Sequence, residues 1–561
     1  MSRLHWPVGL IGTLLLGLIG VGADAPAPAP MPREVIPPPA DKDITDDVKS
    51  WNSDKFTSPP TTFRPGHVTP RKFDAKALAK TESGFSIQLP SKAPIPTPTV
   101  YNGKVYVSGG FHSKEFYCFD AANGSMVWAI DLDDDGPSAA VCDDDVTVFN
   151  TESCTIFAVD AKTGKHLWSY FLGDPLTSTP TIANGVVFTS YPAGGGGGSL
   201  PGPQNLGPNG PPNGFPKLPK ETDKLAPPDV KPNVKPQQIE KQLPPPAPPA
   251  PPANAAAKTP PPCSHVLIAM ELKTGKILWQ RWLDSDVMSS PIAVGKDLYC
   301  TSFSGVVYKF AQKDGAILSA VRTRATSAPV VVGDEVFLTR RTDNGKDSAQ
   351  EGCVAWNPTK GEQRVAGKPR DAVYLDEKVE RSAEMAKKAL ALDAGNGFGG
   401  GAPAVANPGA AYANIGQGNV SSMQAFQGSR VLHIAGKNFN TMGDSVVCND
   451  AKTGKELWSY KLEGDLKKQG GALGAPPAAA GGHLILTTLK GDVIRMDDKG
   501  KVVKTWETRH PSRFQAAAEG GRIFVGTEDG KLICIDTGDK TLTGWSCWGG
   551  NAAHTGVGAE K

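Results

Sequence analysis

The chain has 561 residues, and 59 Lys plus Arg against 57 Asp plus Glu leave a formal net charge of +2. That balance excludes the basic footprint of a nucleic-acid-binding protein. With 63 Gly and 50 Pro, much of the length is committed to turns and loops, although enough chain remains for a large core.

Read from the start, Met1-Ser2-Arg3 is a short basic opening, Val8 to Gly22 is apolar and Val21-Gly22-Ala23 offers small residues for cleavage. Residues 1–23 therefore read as a secretory signal peptide, and the product as an exported protein, periplasmic or secreted. A retained anchor is the alternative, but the stretch is short of the roughly 20 apolar residues a membrane span needs. With cleavage, no transmembrane anchor is left. Residues 24–82 follow as a Pro-rich leader, and Ala25 to Pro39 suit an extended tether.

From Ser83 onward the dominant signal is a repeat. Asp160 to Trp168 (DAKTGKHLW) returns as Asp120 to Trp128, Glu271 to Trp279 and Asp450 to Trp458, with looser copies around Gly315, Gly361, Gly500 and Gly538. Gly124 to Gly164 spans 40 residues and Gly454 to Gly500 spans 46. A period of roughly 40 to 45 residues with four short strands per unit is that of a propeller blade. The spacing predicts an all-β fold over residues 83–548: an eight-bladed β-propeller of four-stranded antiparallel blades. Ser83 to Leu89 is expected to pair with Lys531 to Ile535 and close the ring, which removes exposed sheet edges. Blade six is expected to begin near Val420.

In each repeat the turn glycine (Gly124, Gly164, Gly275, Gly454) can take positive φ, and four residues later Trp128, Trp168, Trp279 or Trp458 should reach a common place between blades. Packing is the expectation for these tryptophans, and ligand stacking the alternative. Ser319 and Val365 stand where Trp would be, which predicts looser junctions there.

These D-A-x-T-G-K-x-x-W repeats resemble the pyrroloquinoline quinone (PQQ)-like repeat superfamily, and Trp548 to Gly556 is similar to a W-x-G-N-x-x-x-T-G stretch found near the ends of such chains. The resemblance implies one of two things. One is a quinone-dependent dehydrogenase, with PQQ and Ca2+ at the propeller centre. The other is a non-catalytic propeller like the lipoprotein of the outer-membrane β-barrel assembly machinery. The chain departs from both groups. It has no pair of neighbouring Cys such as the dehydrogenases carry, and no Cys after the apolar run to take a lipid. The non-catalytic branch is the reading adopted, with no cofactor; PQQ and Ca2+ belong to the alternative alone.

Chemistry-bearing motifs are few. Asp131, Asp133 and Asp135 with Gly136 start like a calcium loop, yet Cys142 stands where the closing bidentate Glu belongs, so a solvated turn is the competing reading. Cys118, Cys448 and Cys534 occupy matching third-strand places and should pack as small hydrophobes; Cys142 with Cys154 is a local disulfide candidate. No catalytic residue emerges.

Function is read instead from where the repeat is interrupted. First-to-second and third-to-fourth turns are short, whereas both long inserts open on the opposite face: 192–262, Pro-rich and expected to be disordered, and 367–418, with an amphipathic helix expected over Asp376 to Leu392. Gly109 to Glu115, Arg341 to Gly352 and Gly436 to Ser445 read as smaller expansions of that same face. A fold elaborated on one side should present that side to a protein or envelope polymer. Residues 549–561 are left as a C-terminal tail.

Overall fold

The computed structural model describes residues 41–152, 155–172, 178–193, 258–259, 261–341, 349–358, 362–367, 370–373, 431–466 and 472–558. The helix expected over Asp376 to Leu392, the tether and most of both inserts lie outside them.

Eight antiparallel sheets form the propeller. Their first strands, nearest the axis, are Thr99–Tyr101, Val141–Asp143, Thr181–Ala183, Ile292–Val294, Val330–Val332, Val431–Ile434, Ala478–Ala480 and Ala517–Glu519. Each is followed outward by its second, third and fourth strand, in sequence order. In blade 8 the fourth place is taken by Gly84–Gln88, paired with Lys531–Asp536 so that Cys534 lies opposite Phe85. The ring is thus closed from the N-terminal side, as the orphan strand predicts.

First-to-second turns are tight because they use residues in the left-handed region: Asn102-Gly103, Asn184-Gly185 and Gly481-Gly482 all have two successive positive φ. That matches the right-handed twist of the strands they join. The D-A-K-T-G turns are fixed by their own Asp. Asp160 Oδ1 accepts from Thr163 N and Oγ1 at 2.8 and 2.7 Å, and Gly164 N donates to Asp160 O. Hydrogen bonds from Thr453 hold the Asp450 carboxyl of the matching turn below the usual range.

The repeated Gly and Trp form the seams between blades. A Cβ on Gly164 would sit 2.8 Å from the Trp128 ring of the preceding blade, and Gly275, Gly315 and Gly500 stand in the same relation to Trp168, Trp279 and Trp458. Each indole N–H donates to a carbonyl of the next blade: Trp128 to Ala161, Trp168 to Leu272, Trp279 to Gln312 and Trp458 to Asp498. At blade 5, where Val365 replaces Trp and is 61% exposed, Arg364 supplies the donor. Its guanidinium bonds Ala451 O, the counterpart of Ala161 O, together with Lys452 O, and Glu335 holds it bidentately at 2.7 and 2.8 Å. The expected loosening at Val365 is therefore offset by a neighbouring residue.

Several boundaries move. Blade 6 starts at Val431, not near Val420, so Gly436 to Ser445 is no expansion: Ala435-Gly436 is a first-to-second turn, Lys437–Met442 is the second strand, and Gly443 begins a short return to Ser445–Asp450. The polar strand sequence KNFNTM reads as loop, yet Asn438 and Asn440 are buried. Arg370–Val373, inside the second insert, pairs with the third strand of blade 5.

Residues 41–82, expected to belong to the Pro-rich leader, are part of the folded propeller. They run round the outer rim against the order of the blades. Asp41 pairs with Arg340 of blade 5, and Lys42–Asp43 add a strand to the outer strand of blade 4. The helix Thr45–Trp51 buries Val48 with Trp279 and Leu283 across blades 3 and 4. Its two flanking acids, Asp46 and Asp47, suit the positive N-terminal end. Asn52 clasps Trp282 of blade 3 at both backbone groups. Phe63 packs edge-on against Tyr191 and tilted against Tyr170, and Arg64 O accepts from Phe171 N of blade 2 at 2.7 Å. Val68–Pro70 extend blade 1 and Leu78–Thr81 extend blade 8.

Candidate interaction face and central channel

The C-terminal residues, set apart in sequence as a tail, lie on the propeller axis. Val100 N donates to Ser546 O, Ile182 N to Ala552 O, Ala293 N to Ala553 O and Ala518 N to Trp545 O, so first strands of blades 1, 3, 4 and 8 bond this segment. A Cβ on Gly556 would touch Val330 of blade 5, and one on Gly558 would lie 3.8 Å from Ala479 O of blade 7. The segment is held as a loop by Asn551, whose Nδ2 donates to Thr555 Oγ1 and Val557 O, and by Gly556 N donating to Gly549 O. This is the W-x-G-N-x-x-x-T-G stretch, and its Asn and Gly residues are needed for that fold-back.

Within it, Trp548 and His554 are fully buried with ring centroids 4.0 Å apart. His554 Nδ1 lies 2.6 Å from Thr181 Oγ1 and 3.0 Å from Ser290 Oγ, and burial lowers its pKa to about 3, so the ring is neutral. Gln515 Oε1 accepts from Trp545 Nε1 and Gly549 N, fixing the start of the segment to blade 8.

The three aspartates of the half calcium loop are not brought together. Asp131 lies in the strand Met126–Leu132 and pairs with Arg71 at 2.5 Å, and Arg71 also holds Glu115 at 2.9 Å. Asp133 N donates to His67 O, and Asp135 O accepts from Glu152 N. It is Asp134, between them, whose carboxylate accepts from Thr151 and Thr155 of blade 2. The run is a corner tying blade 1 to blade 2. Among the described residues no group of three or more His, Cys, Asp or Glu is placed to hold a metal ion, and the channel is occupied by the chain's own C-terminal loop. Cys142 is a free buried thiol 3.3 Å from Thr147 Oγ1, its pKa raised by burial, and Cys154, its suggested partner, lies outside the described residues.

One polar cluster escaped the sequence reading. At the blade 3–4 junction, buried Asp284 accepts from Tyr308 OH at 2.7 Å and from Ser304, with Arg322 at 3.7 Å. His265 sits nearby, lowered by burial, with Nδ1 2.9 Å from Ser264 Oγ. The carboxylate is fully engaged with neighbours 20 to 38 residues away in sequence, which is why spacing does not reveal it. These contacts make it a structural buried charge.

The insert-bearing face is the face where second-to-third connections and blade-to-blade connections emerge. The first insert leaves from Val186–Pro192 and returns at His265–Glu271, the second and third strands of blade 3. The second lies between Glu362–Val365 and Val431–Ile434. The opposite face keeps its two-residue turns, and its lysines are engaged: Lys162 with Asp145 and Lys273 with Asp144, both at 2.6 Å.

The sequence family described as outer membrane protein assembly factor BamB matches residues 112–197, 264–438 and 417–539. The chain belongs to this family. Its repeat is thus the PQQ-like one that the D-A-x-T-G-K-x-x-W motif resembles. Among solved structures, BamB from Moraxella catarrhalis is similar at 13% identity and a TM-score of 0.46, covering 82% of this chain and 97% of that one. The computationally designed Ika8 protein gives 11% identity and a TM-score of 0.46, with 82% and 98% covered. A quinohemoprotein alcohol dehydrogenase from Pseudomonas putida HK5 gives 11% and 0.45, with 83% and 77% covered. No curated protein sequence matches the chain. Among the described residues no helix is long and apolar enough to cross a membrane.

Proposed function

We propose that this protein is an exported, non-catalytic propeller that serves as an interaction platform for a protein or envelope polymer, held on the insert-bearing face. The observation that carries the reading is the asymmetry of the two faces: both long inserts leave from one, while the other retains minimal turns. Membership of a family described by outer membrane assembly supports an envelope role. The hub filled by the C-terminal loop supports a scaffold rather than a cofactor site.

Crosslinking the purified chain to envelope extracts, followed by mapping of linked peptides, tests this. Links should gather on 109–115 and the borders of the two inserts, and leave Lys162, Lys273 and Lys452 unmodified by partner. Links concentrated on the D-A-K-T-G turns would reverse the assignment of the face. Export is tested separately by fractionating cells that express the full chain; retention in the cytoplasm would overturn that part.

A further inference from the structure

We propose that Cys142 and Cys547 form a disulfide that joins the axial C-terminal segment to blade 2, made while that segment docks. The export reading enters only as the source of the oxidant in a cell.

The axial segment meets the blades in ring order. Trp545 O accepts from Ala518 N of blade 8, Ser546 O from Val100 N of blade 1, Ala552 O from Ile182 N of blade 3 and Ala553 O from Ala293 N of blade 4. Each donor is the middle residue of a three-residue first strand. Blade 2 stands between blades 1 and 3, and the middle residue of its first strand, Val141–Asp143, is Cys142. Cys547 directly follows the residue bonded to blade 1, so the segment carries it toward that strand. Thr99 Oγ1 donates to Ala140 O at 2.7 Å, which ties the first strands of blades 1 and 2 beside Val100 and Cys142.

Residue types and electrostatics agree with that placement. The same first-strand place holds Val100, Ile182, Ala293, Val331, Ala479 and Ala518 in other blades, and a cysteine in blade 2. Cys547 is the one cysteine of residues 545–558. Both are buried free thiols. Burial raises the Cys142 pKa and the Cys547 thiol raises it further, an effect of two groups within electrostatic reach of each other. Cys118, Cys448 and Cys534 differ, because they recur in third strands where a small side chain packs.

Burial also sets when the bond forms. In the folded chain Cys547 is pushed up to about 12 and Cys142 is raised likewise, so thiolate, the reacting form, is scarce. Exchange therefore precedes full docking. The Cys547 thiolate attacks one sulfur of a disulfide carrier, RS–SR, and one RS⁻ leaves a mixed disulfide behind. The Cys142 thiolate then attacks the Cys547 sulfur, the S–S bond of the chain forms and the second RS⁻ leaves. Two thiols of the chain have lost two electrons, and the carrier has gained them as two RSH that take up the two protons. The bond closes a loop containing most of the propeller, which restricts the unfolded chain.

The test refolds the full chain from urea with either a mixture of oxidised and reduced glutathione or reduced glutathione alone, then alkylates free thiols and maps unreduced peptides by mass spectrometry. Oxidative refolding should yield the Cys142–Cys547 peptide pair in most chains, and refolding with reduced glutathione none. The folded, reduced chain given the same oxidising mixture should form roughly tenfold less of it. In Cys547→Ala, Cys142 should be recovered alkylated, and the mapping of the natural chain stands whether or not that variant folds. Cys142 joined to Cys154, both thiols recovered alkylated after oxidative refolding, or a link formed as readily in the folded chain would each overturn the proposal. The oxidant is supplied in the tube, so the result is independent of where a cell places the chain, and export stands or falls on fractionation.

Discussion

His554 gives the most quantitative test of the filled hub. Its folded pKa is lowered to about 3 by burial, whereas an unfolded histidine titrates near 6.5. The groups facing it are the Thr181 and Ser290 hydroxyls and the Trp548 ring, so no carboxylate is bonded to it to compensate a charge. Between these two pKa values the unfolded chain binds a proton that the folded chain refuses. Stability is therefore complete above about pH 6.5 and falls as the pH drops, by up to about 1.4 kcal/mol per unit, until the folded pKa is reached. From pH 7.5 to 5.0 the loss due to this one group is about 2 kcal/mol. Urea unfolding followed by tryptophan fluorescence, run in parallel on the natural chain and on His554→Asn, isolates it, because other titrating groups, including the buried His265, cancel in the difference. The gap between the two chains should narrow by about 2 kcal/mol over that interval. A gap that does not change with pH would mean that His554 is solvated, and with it that the C-terminal loop does not occupy the axis.

Three further outcomes follow from the seams and the first insert. Gly275→Ala sets a Cβ 2.7 Å from the Trp168 ring at φ +69°, and Gly185→Ala, at φ +73°, meets nothing within 4 Å; thermal melts should show a loss of about 3 kcal/mol for the first and about 1 kcal/mol for the second. Arg364→Ala strips a charged donor from Ala451 O and Lys452 O and should cost about 2 kcal/mol in urea unfolding, with Arg364→Lys recovering only part because it lacks the bidentate fork to Glu335. Replacing residues 194–257 by a short Gly-Ser turn should move the melting temperature little, since closing a long surface loop costs entropy that grows slowly with length; a collapse of blade 3 would show that the insert is structural.

The blade number and the ring closure were legible because the signal is local: Gly164 and Trp168 lie four residues apart, and the pattern repeats. The rim contacts of residues 41–82 were not, because Asn52, Phe63 and Arg64 carry no motif and meet partners more than a hundred residues away. Blade 6 was misplaced because Lys437–Met442 is polar in a buried strand, so its period-2 pattern carries no apolar mark. The loss of Trp at Val365 was visible, but its replacement by Arg364 was not, since a donor one residue earlier in sequence reaches the same carbonyl only in three dimensions. The candidate calcium run illustrates the opposite case: of three aspartates at alternate positions, Asp131 belongs to a strand that ends at Leu132, before the other two.

The C-terminal loop also fixes an order of assembly. Blade 8 needs Gly84–Gln88 from the start of the propeller and Lys531–Asp536 from its end, and the hub is filled only by residues that follow. A chain halted at Thr543 would own every strand of all eight blades and still lack its axle. Completion of the wheel therefore waits for residues 545–558, which makes this segment the part that reports whether the whole ring has formed.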